Sequence, residues 1–552
     1  MNTEPFSNMI ESKNYNCYEF YLAATERYGD YKQAQHMDEM VMRSKFICDT
    51  EALACYFKKE LGLKKGDVYS IFVPSNIESF TAFYALNKLG VIVNFLHPLL
   101  PDEALIETVK ESGSKGIMVL GLLGLKQHNV DAVNSLGLPV LLCRCSDYAS
   151  PAKKISAGAG EALLEKILGY KNATLYCDVV KKYEGRTVEG CVNNCDDIAV
   201  YLNGGGTTGK SKTIKLTNKA INENVHKLGY IDHIEDPGEE AEIIILPFFH
   251  AFGLVVAGHM ALCNAARIIP LMQFNGKLVV DLYKKNRISG IGGIPNMFKK
   301  LYNTPGFDGP HLKNTRMMFV GGDDLSPAFL EAFNGMLERN GTSARLRQGY
   351  GLTEVGSVCC VNTNWVYKDG SIGKPLEGLR MEIWDDEHKP LPVGEVGEIV
   401  ISGSTMMEGY LTEDGPKDAG IYYDEEGTPW VLSGDLGYMD EDGFFYFYGR
   451  KKRIIIISGY NVYPVDIENL MDTLPFIKES CAVRGTTADG KPLVRLYASL
   501  KVKGDEEEYK KIITEACAKN LNQFSVPREI IFMDELPHTP LEKVDFMKLE
   551  KM

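Results

Sequence analysis

The sequence predicts an α/β fold: a large N-terminal part built of α/β subdomains and ending in a β-rich subdomain, then a small α+β C-terminal domain. Three observations carry this expectation. From about residue 40 to 350, strand-like apolar runs alternate with helical periodicity, the pattern of strands joined by crossover helices. From about Gly370 the texture changes to short β runs split by Gly, Asp and Pro. After the basic run Arg450 to Arg453 come one more strand and a mixed stretch of about 100 residues, so the best single boundary lies near Lys452. The expected division is 1–449, with the β-rich subdomain at about 370–449, and 450–552.

Taken in order, a helix ends near Gly62, a strand spans Val68 to Val73, a helix runs from about Glu78 to Leu89, and a strand covers Gly116 to Leu120. Ile198 to Leu202 and the alternating Thr213 to Thr217 read as strands on either side of a glycine-rich turn. The window Ile243 to Ala266 contains no Asp, Glu, Lys or Arg, and by length alone it could cross a bilayer. Pro247, Gly253, Gly258, His250 and His259 within it point instead to a buried strand, a break and an apolar helix, because polar side chains at mid-membrane need partners. No transmembrane segment is expected. Short strands follow within Gly394 to Gly403 and Gly443 to Gly449, and another at Ile454 to Ile457.

With 552 residues, the chain is too long for a binding peptide or a single small module. A composition of 45% hydrophobic and 24% charged residues is that of a globular protein. Sixty Lys plus Arg against 74 Asp plus Glu give a net charge of -14, which argues against a general nucleic-acid surface. The run at Arg450 to Arg453 behind the aromatic Phe444 to Tyr448 could form a local RNA platform, but alternating Phe and Tyr between glycines fits a half-buried strand better. Thirteen scattered cysteines and an N-terminus without a basic, apolar lead imply reduced thiols in a cytoplasmic protein. Cys143 with Cys145 and Cys191 with Cys195 could in principle ligate zinc, yet they sit at a buried strand end and in a polar loop.

The glycine-rich turn carries the first chemistry. Gly204 to Ser211 fits G-x-x-x-x-G-K-S, the Walker phosphate loop, but that motif needs a helix opening at Ser211, whereas Thr213 to Thr217 alternates like a strand. A plain turn needs neither two threonines nor two lysines. The stretch Gly205 to Thr213 instead resembles the S-G-T-T-G-x-P-K-G loop of the adenylate-forming superfamily, which includes acyl-CoA synthetases, luciferases and peptide-synthetase adenylation domains; Gly205, Ser211 and Thr213 depart from the pattern. The resemblance implies that Thr207, Thr208, Gly209 and Lys212 cradle the β and γ phosphates of ATP.

Further motifs follow in the family's order. Tyr350-Gly351-Leu352-Thr353-Glu354 is similar to Y-G-x-T-E, which implies Tyr350 on adenine, Thr353 at the α-phosphate and Glu354 on Mg²⁺, a hard cation suited to a carboxylate. Ser433-Gly434-Asp435 resembles T-G-D, with Asp435 accepting from the ribose hydroxyls. Gly449-Arg450-Lys451-Lys452 is similar to G-R-x-K/D, placing Arg450 near ribose and Lys452 at an interdomain hinge. Gly321-Gly322-Asp323 stands where the family has a segment near adenine, so Asp323 is a candidate for the adenine amino group. Leu536 to Asp545 resembles the segment with the family's catalytic lysine, here Lys543, although Glu542 replaces a glycine. Pro247-Phe-Phe-His250 resembles P-x-x-H, with His250 between the ATP and acyl sites. Gly459-Tyr460-Asn461-Val462-x-Pro464 is similar to the family's glycine loop, which implies Gly459 and Tyr460 beside the pantetheine tunnel, with Ile456 where the family has a lysine. Gly394 to Glu398 matches as scaffold.

Read alone, Thr353-Glu354 is a helix cap, Ser433 to Asp435 a turn, His250 a buried histidine and Lys543 a surface lysine. Their joint order from about Gly62 to Lys543 carries the resemblance, closest to acyl-CoA synthetases. It implies a ligase with a mobile C-terminal cap that uses ATP, Mg²⁺ and coenzyme A, forms acyl-AMP and then a thioester, and releases AMP and pyrophosphate. Phe249, Phe252, Val320, Gly321 and Gly349 are the candidate acid-binding wall, and their apolar character favours an apolar or aromatic carboxylic acid over an amino acid. A ligase loading an acyl carrier protein, a Walker-type NTPase and a non-catalytic nucleotide-binding relative remain alternatives.

Overall fold

The computed structural model describes residues 11, 14–121, 127–150, 169–192, 195–204, 212–231, 234–322, 325–411, 420–457, 460–487, 490–539 and 544–552. Thr207, Thr208, Gly209, Asp323, Gly459, Glu542 and Lys543 lie outside the described residues.

Two large sheets organise the N-terminal part. In the first, the strands Ile198–Asn203, Ile92–Phe95, Val68–Phe72, Ser114–Leu120, Val140–Cys143 and Ala173–Leu175 lie parallel in that order. The inner strands Ile92–Phe95, Val68–Phe72 and Val140–Cys143 are short, apolar and buried, as a parallel sheet covered on both faces requires, while the edge strand Ala173–Leu175 is partly exposed. Thr213–Thr217 turns back antiparallel on Ile198–Asn203, with Asn203 opposite Thr213. A strand here is incompatible with the helix that a Walker loop needs. The second sheet runs from Lys374–Pro375 through Ser357–Val361, Leu346–Leu352, Met317–Val320, Arg287–Gly293, Glu240–Ile244 and Arg267–Pro270 to Lys32–His36 and Glu39–Met42.

The charge-free window starts within the second sheet and leaves it for a helix. Glu240–Ile244 is a buried strand, and Phe252–Met260 forms a π-helix that continues into Ala261–Cys263. The sequence predicts only an apolar helix here, and its uniform hydrophobicity suits a helix buried all round. Gly258 allows close packing, since a β-carbon there would fall 2.1 Å from the Phe80 ring. Among the described residues no helix is long and apolar enough to cross a membrane.

The β-rich region forms its own sheet of Arg380–Trp384, Gly397–Ser402, Pro429–Met439, Ile421–Tyr423 and Phe445–Arg450. Two short strands from the same stretch leave it: Lys374–Pro375 joins the second sheet, and Gly409–Tyr410 adds to Thr213–Thr217 of the first. Beyond the turn Lys451–Arg453, a hairpin of Ile455–Ile457 and Tyr460–Val462 precedes a sheet of Ile477–Thr486, Pro492–Leu500 and Glu529–Met533. The helices Pro464–Asp472 and Glu506–Asn520 cover that sheet, and Ile455, Ile467, Leu496 and Ile513 belong to a core separate from those of the large sheets.

Candidate active site

A cleft of about 3370 Å³ opens where the carboxyl ends of the parallel strands meet the β-rich sheet and the C-terminal part, the place where α/β sheets usually bind ligands. Asn203, Gly204, Lys212, Val320, Gly321, Tyr350, Thr353, Glu354, Asp435 and Arg450 all line it.

One end is built around Asp435. Pro429–Met439 and Phe445–Arg450 pair with Asp435 opposite Arg450, so strand register alone places these side chains together. Asp435 is fully buried, and Arg450 Nη1 lies 2.8 Å from its Oδ1. Tyr350 Oη donates to Asp435 Oδ2 at 2.7 Å. Burial, then the Asp435 charge, push the Tyr350 phenol far above its ordinary value and keep it a donor. The turn at Gly434 is fixed from below: its N–H donates to Glu398 Oε1 at 2.9 Å, while Lys451 Nζ bonds Glu398 Oε2 at 3.0 Å. A carboxylate is an acceptor through both of its oxygens, the chemistry that a vicinal diol requires of its partner.

At the end of the cleft that carries Thr353 and Glu354, Leu346–Leu352 bends back into Ser357–Val361 at Gly351, where a β-carbon would stand 1.8 Å from the Ser357 carbonyl oxygen. The tight turn Thr353–Val355 follows, closed by Gly356 with φ 78°. This aims Thr353 and Glu354 at the cleft. Tyr410 Oη donates to Glu354 Oε1 at 3.0 Å, and Lys212 Nζ sits 4.5 Å from the centre of the Tyr410 ring. The loop neck is tied by Gly204 N–H to the Lys212 carbonyl at 2.9 Å and by Thr213 Oγ1 to Asn203 Oδ1 at 2.8 Å. A carboxylate and a lysine converging here suit the phosphates and divalent cation of a nucleotide.

The opposite wall is apolar. Phe249, His250, Phe252, Val320, Gly321 and Gly349 all face the cleft. Phe252 starts the π-helix, and its ring covers two glycines: a β-carbon at Gly321 would meet Phe252 Cε1 at 3.5 Å, and one at Gly292 would meet Cζ at 3.6 Å. Phe249 packs between His250 and His97, with ring centres 4.7 and 4.3 Å away. Burial lowers the His97 pKa, favouring neutral imidazole on this wall.

Comparison with known proteins now places the chain. A profile of the AMP-binding enzyme family matches residues 44–411, and a profile of the AMP-binding enzyme C-terminal domain matches residues 466–543. The chain belongs to the AMP-binding enzyme family, within the adenylate-forming superfamily. Among its relatives is the long-chain-fatty-acid–CoA ligase of Salmonella typhimurium, 26% identical over 548 residues that cover 95% of this chain and 92% of that one. The anthranilate CoA ligase AuaEII, solved with anthranoyl-AMP, shares the fold with a TM-score of 0.80 and 19% identity over 99% of this chain and 98% of that one. The o-succinylbenzoate coenzyme A synthetase of Bacillus subtilis, solved with ATP and magnesium ion, gives 0.74 and 20% over 96% and 98%.

In this AMP-binding enzyme the C-terminal part closes the cleft with one particular face. Glu479, His538, Thr539 and Val544 line the cleft, so both described flanks of Lys543 border it. The segment is folded on itself by a bridge between His538 and Val544, by Asp545 N–H to the Pro537 carbonyl at 2.8 Å, and by His538 Nε2 with Glu479 Oε1 at 2.9 Å. Tyr460 is not among the residues lining the cleft; it is 60% exposed and stacks on Phe524 at 4.4 Å. Lys452 lies between these surfaces, in the turn that links the two parts, and also lines the cleft.

Sequence reasoning missed Tyr410, His97 and the bracing role of Glu398. Tyr410 belongs to a two-residue strand with no periodicity to read, and it is recognisable only through its pairing with Ile214.

Proposed function

We propose that this AMP-binding enzyme is an AMP-forming carboxylate–CoA ligase for an apolar or aromatic acid. The observation that carries this reading is one cleft lined by Asp435, Lys212, Glu354, the apolar wall and the flanks of Lys543, which the sequence scatters over more than 300 positions. ATP is the activating substrate. Asp435, braced by Tyr350 and Arg450, accepts from the ribose hydroxyls, and Tyr350 and Asp323 face adenine. Thr207, Thr208, Gly209 and Lys212 hold the β and γ phosphates, and Thr353 the α-phosphate. Glu354 would hold Mg²⁺, which neutralises phosphate charge when bound.

A carboxylate oxygen of the acid attacks the α-phosphorus, the bond to the bridging oxygen of the β-phosphate breaks, and pyrophosphate leaves with the electron pair. Lys543 stabilises the charge that develops there. The thiol of coenzyme A, giving up its proton, then attacks the acyl carbon and AMP departs. The second step needs the Gly459–Tyr460 surface at the cleft, so rotation about Lys452 exchanges it with the Lys543 surface. The division at residue 450 follows from this exchange. His250 separates the nucleotide from the acyl wall formed by Phe249, Phe252, Val320, Gly321 and Gly349. All thirteen cysteines are free thiols, in keeping with a reducing cytoplasm.

The deciding experiment offers acids from acetate to palmitate, with benzoates and cinnamates, together with ATP and Mg²⁺, with and without coenzyme A. AMP release that requires one acid class and coenzyme A is expected. Pyrophosphate release indifferent to coenzyme A would move the acceptor to a carrier protein, and ADP as product would overturn the reading.

A further inference from the structure

Residues 407 to 411 form a strap across the phosphate end. Met407 N–H donates to the Glu354 carbonyl at 2.8 Å, Glu408 N–H to the Lys215 carbonyl at 2.9 Å, and Leu411 N–H to the Thr213 carbonyl at 2.8 Å. Gly409 pairs with Lys215 and Tyr410 with Ile214. The strap therefore joins the strand leaving the phosphate loop to the turn that carries Thr353 and Glu354. Tyr410, half-buried, reaches functional groups on both, with its hydroxyl on Glu354 Oε1 at 3.0 Å and its ring face 4.5 Å from Lys212 Nζ.

We propose that Tyr410 is a positioning residue that orients the Glu354 carboxylate for the divalent cation and holds Lys212 ready for phosphate. The inference rests on the reading of Glu354 as the Mg²⁺ ligand. Glutamate and lysine are long side chains, and fixing them costs rotamer entropy that a ligand must otherwise overcome. A phenol donating to Oε1 leaves Oε2 for the cation. An aromatic face attracts an ammonium without neutralising it, so Lys212 keeps its charge for the phosphates.

The test is equilibrium binding of ATP to the full chain by calorimetry, with and without Mg²⁺, for wild type, Tyr410→Phe and Tyr410→Leu, with thermal midpoints confirming that each variant is folded. Tyr410→Phe keeps the ring and loses the hydroxyl. Its metal-free ATP affinity should match wild type, while the tightening produced by Mg²⁺ falls about tenfold, the order expected for one hydrogen bond to a charged group. Tyr410→Leu should also weaken metal-free binding by about threefold, because the ring face is gone. The KM for the acid should not move in either variant. An unchanged Mg²⁺ effect in Tyr410→Phe overturns the proposal, as does a uniform loss of metal-free affinity and thermal midpoint in both variants, the mark of a merely structural tyrosine. If wild type itself gains nothing from Mg²⁺, the reading of Glu354 fails first and the proposal falls with it.

Discussion

At the end of the cleft that carries Asp435 and Glu354 the organising contacts are polar and directional: Asp435 meets Tyr350 at 2.7 Å and Arg450 at 2.8 Å, and Glu354 meets Tyr410 at 3.0 Å. At the other end the wall is shaped by side chains that are absent, at Gly321 and Gly349, and by the Phe252 ring, which rests against Gly321 and Gly292. One end is arranged by charge and the other by volume. Substitutions at the first should therefore change how tightly nucleotide or transition state is held, whichever acid is used. Substitutions at the second should change which acid is used and leave the nucleotide alone.

The largest expected effect tests the polar end. Lys543→Ala should slow acyl-AMP formation by about 10²- to 10³-fold, the usual cost of one lost transition-state donor, while thioester formation from supplied acyl-AMP is largely kept. Single-turnover assays of the two half-reactions separate these, and an equal loss in both would rule out the exchange of faces about Lys452. Next comes Asp435→Ala. The KM for ATP should rise about 10- to 100-fold, as for a lost hydrogen bond to a charged group, and discrimination against 2′- or 3′-deoxy-ATP should disappear. If the KM for the acid rises in parallel, the two ends are not separable.

Much of this contrast was legible in the sequence, for physical reasons. Asp435 and Arg450 were legible only through the order of motifs that resemble the family's T-G-D and G-R-x-K/D; the pairing that sets Asp435 opposite Arg450 carries an irregularity at Leu436 and Gly437 that no alternation announces. The alternation of Thr213 to Thr217 argues against a Walker loop from the sequence, and the strand found there bears that out. The Tyr410–Glu354 contact was not legible, since it joins residues 56 positions apart through a sheet edge of two residues. Nor was the π-helix: a run as uniformly apolar as Phe252–Met260 has no polar stripe to report its phase.

A smaller effect sharpens the acyl side. Phe252→Ala should uncover Gly292 and Gly321, shifting the ratio of kcat/KM between bulky and small acids by about tenfold toward the bulky ones, as expected when a pocket gains the volume of a few methylenes. The KM for ATP should stay within about twofold on the same argument. Kinetics across an acid series at saturating ATP make the comparison. An unchanged ranking would mean that the acid does not run past Phe252.

The smallest effect asks what supports the apolar wall from behind. His259, in the same π-helix as Phe252, is fully buried, with Nδ1 2.8 Å from Tyr84 Oη, Nε2 3.1 Å from Asn222 Oδ1 and the Cys263 thiol alongside. Burial lowers its pKa from 6.5 to about 3. The folded chain thus keeps it neutral where an unfolded chain would protonate it, and between those values the unfolded state binds more protons. The stability contribution of neutral His259 is complete above about pH 6.5 and is lost as the pH falls toward 3, at no more than about 1.4 kcal/mol per pH unit. Glutamine can bond Tyr84 and Asn222 without titrating, so His259→Gln should be less stable than wild type at pH 7 yet lose less on acidification to pH 5. Thermal midpoints of both proteins at the two pH values measure this. Parallel losses would show that other groups govern the acid response, and that the π-helix behind Phe252 is held by packing rather than by the protonation state of its histidine.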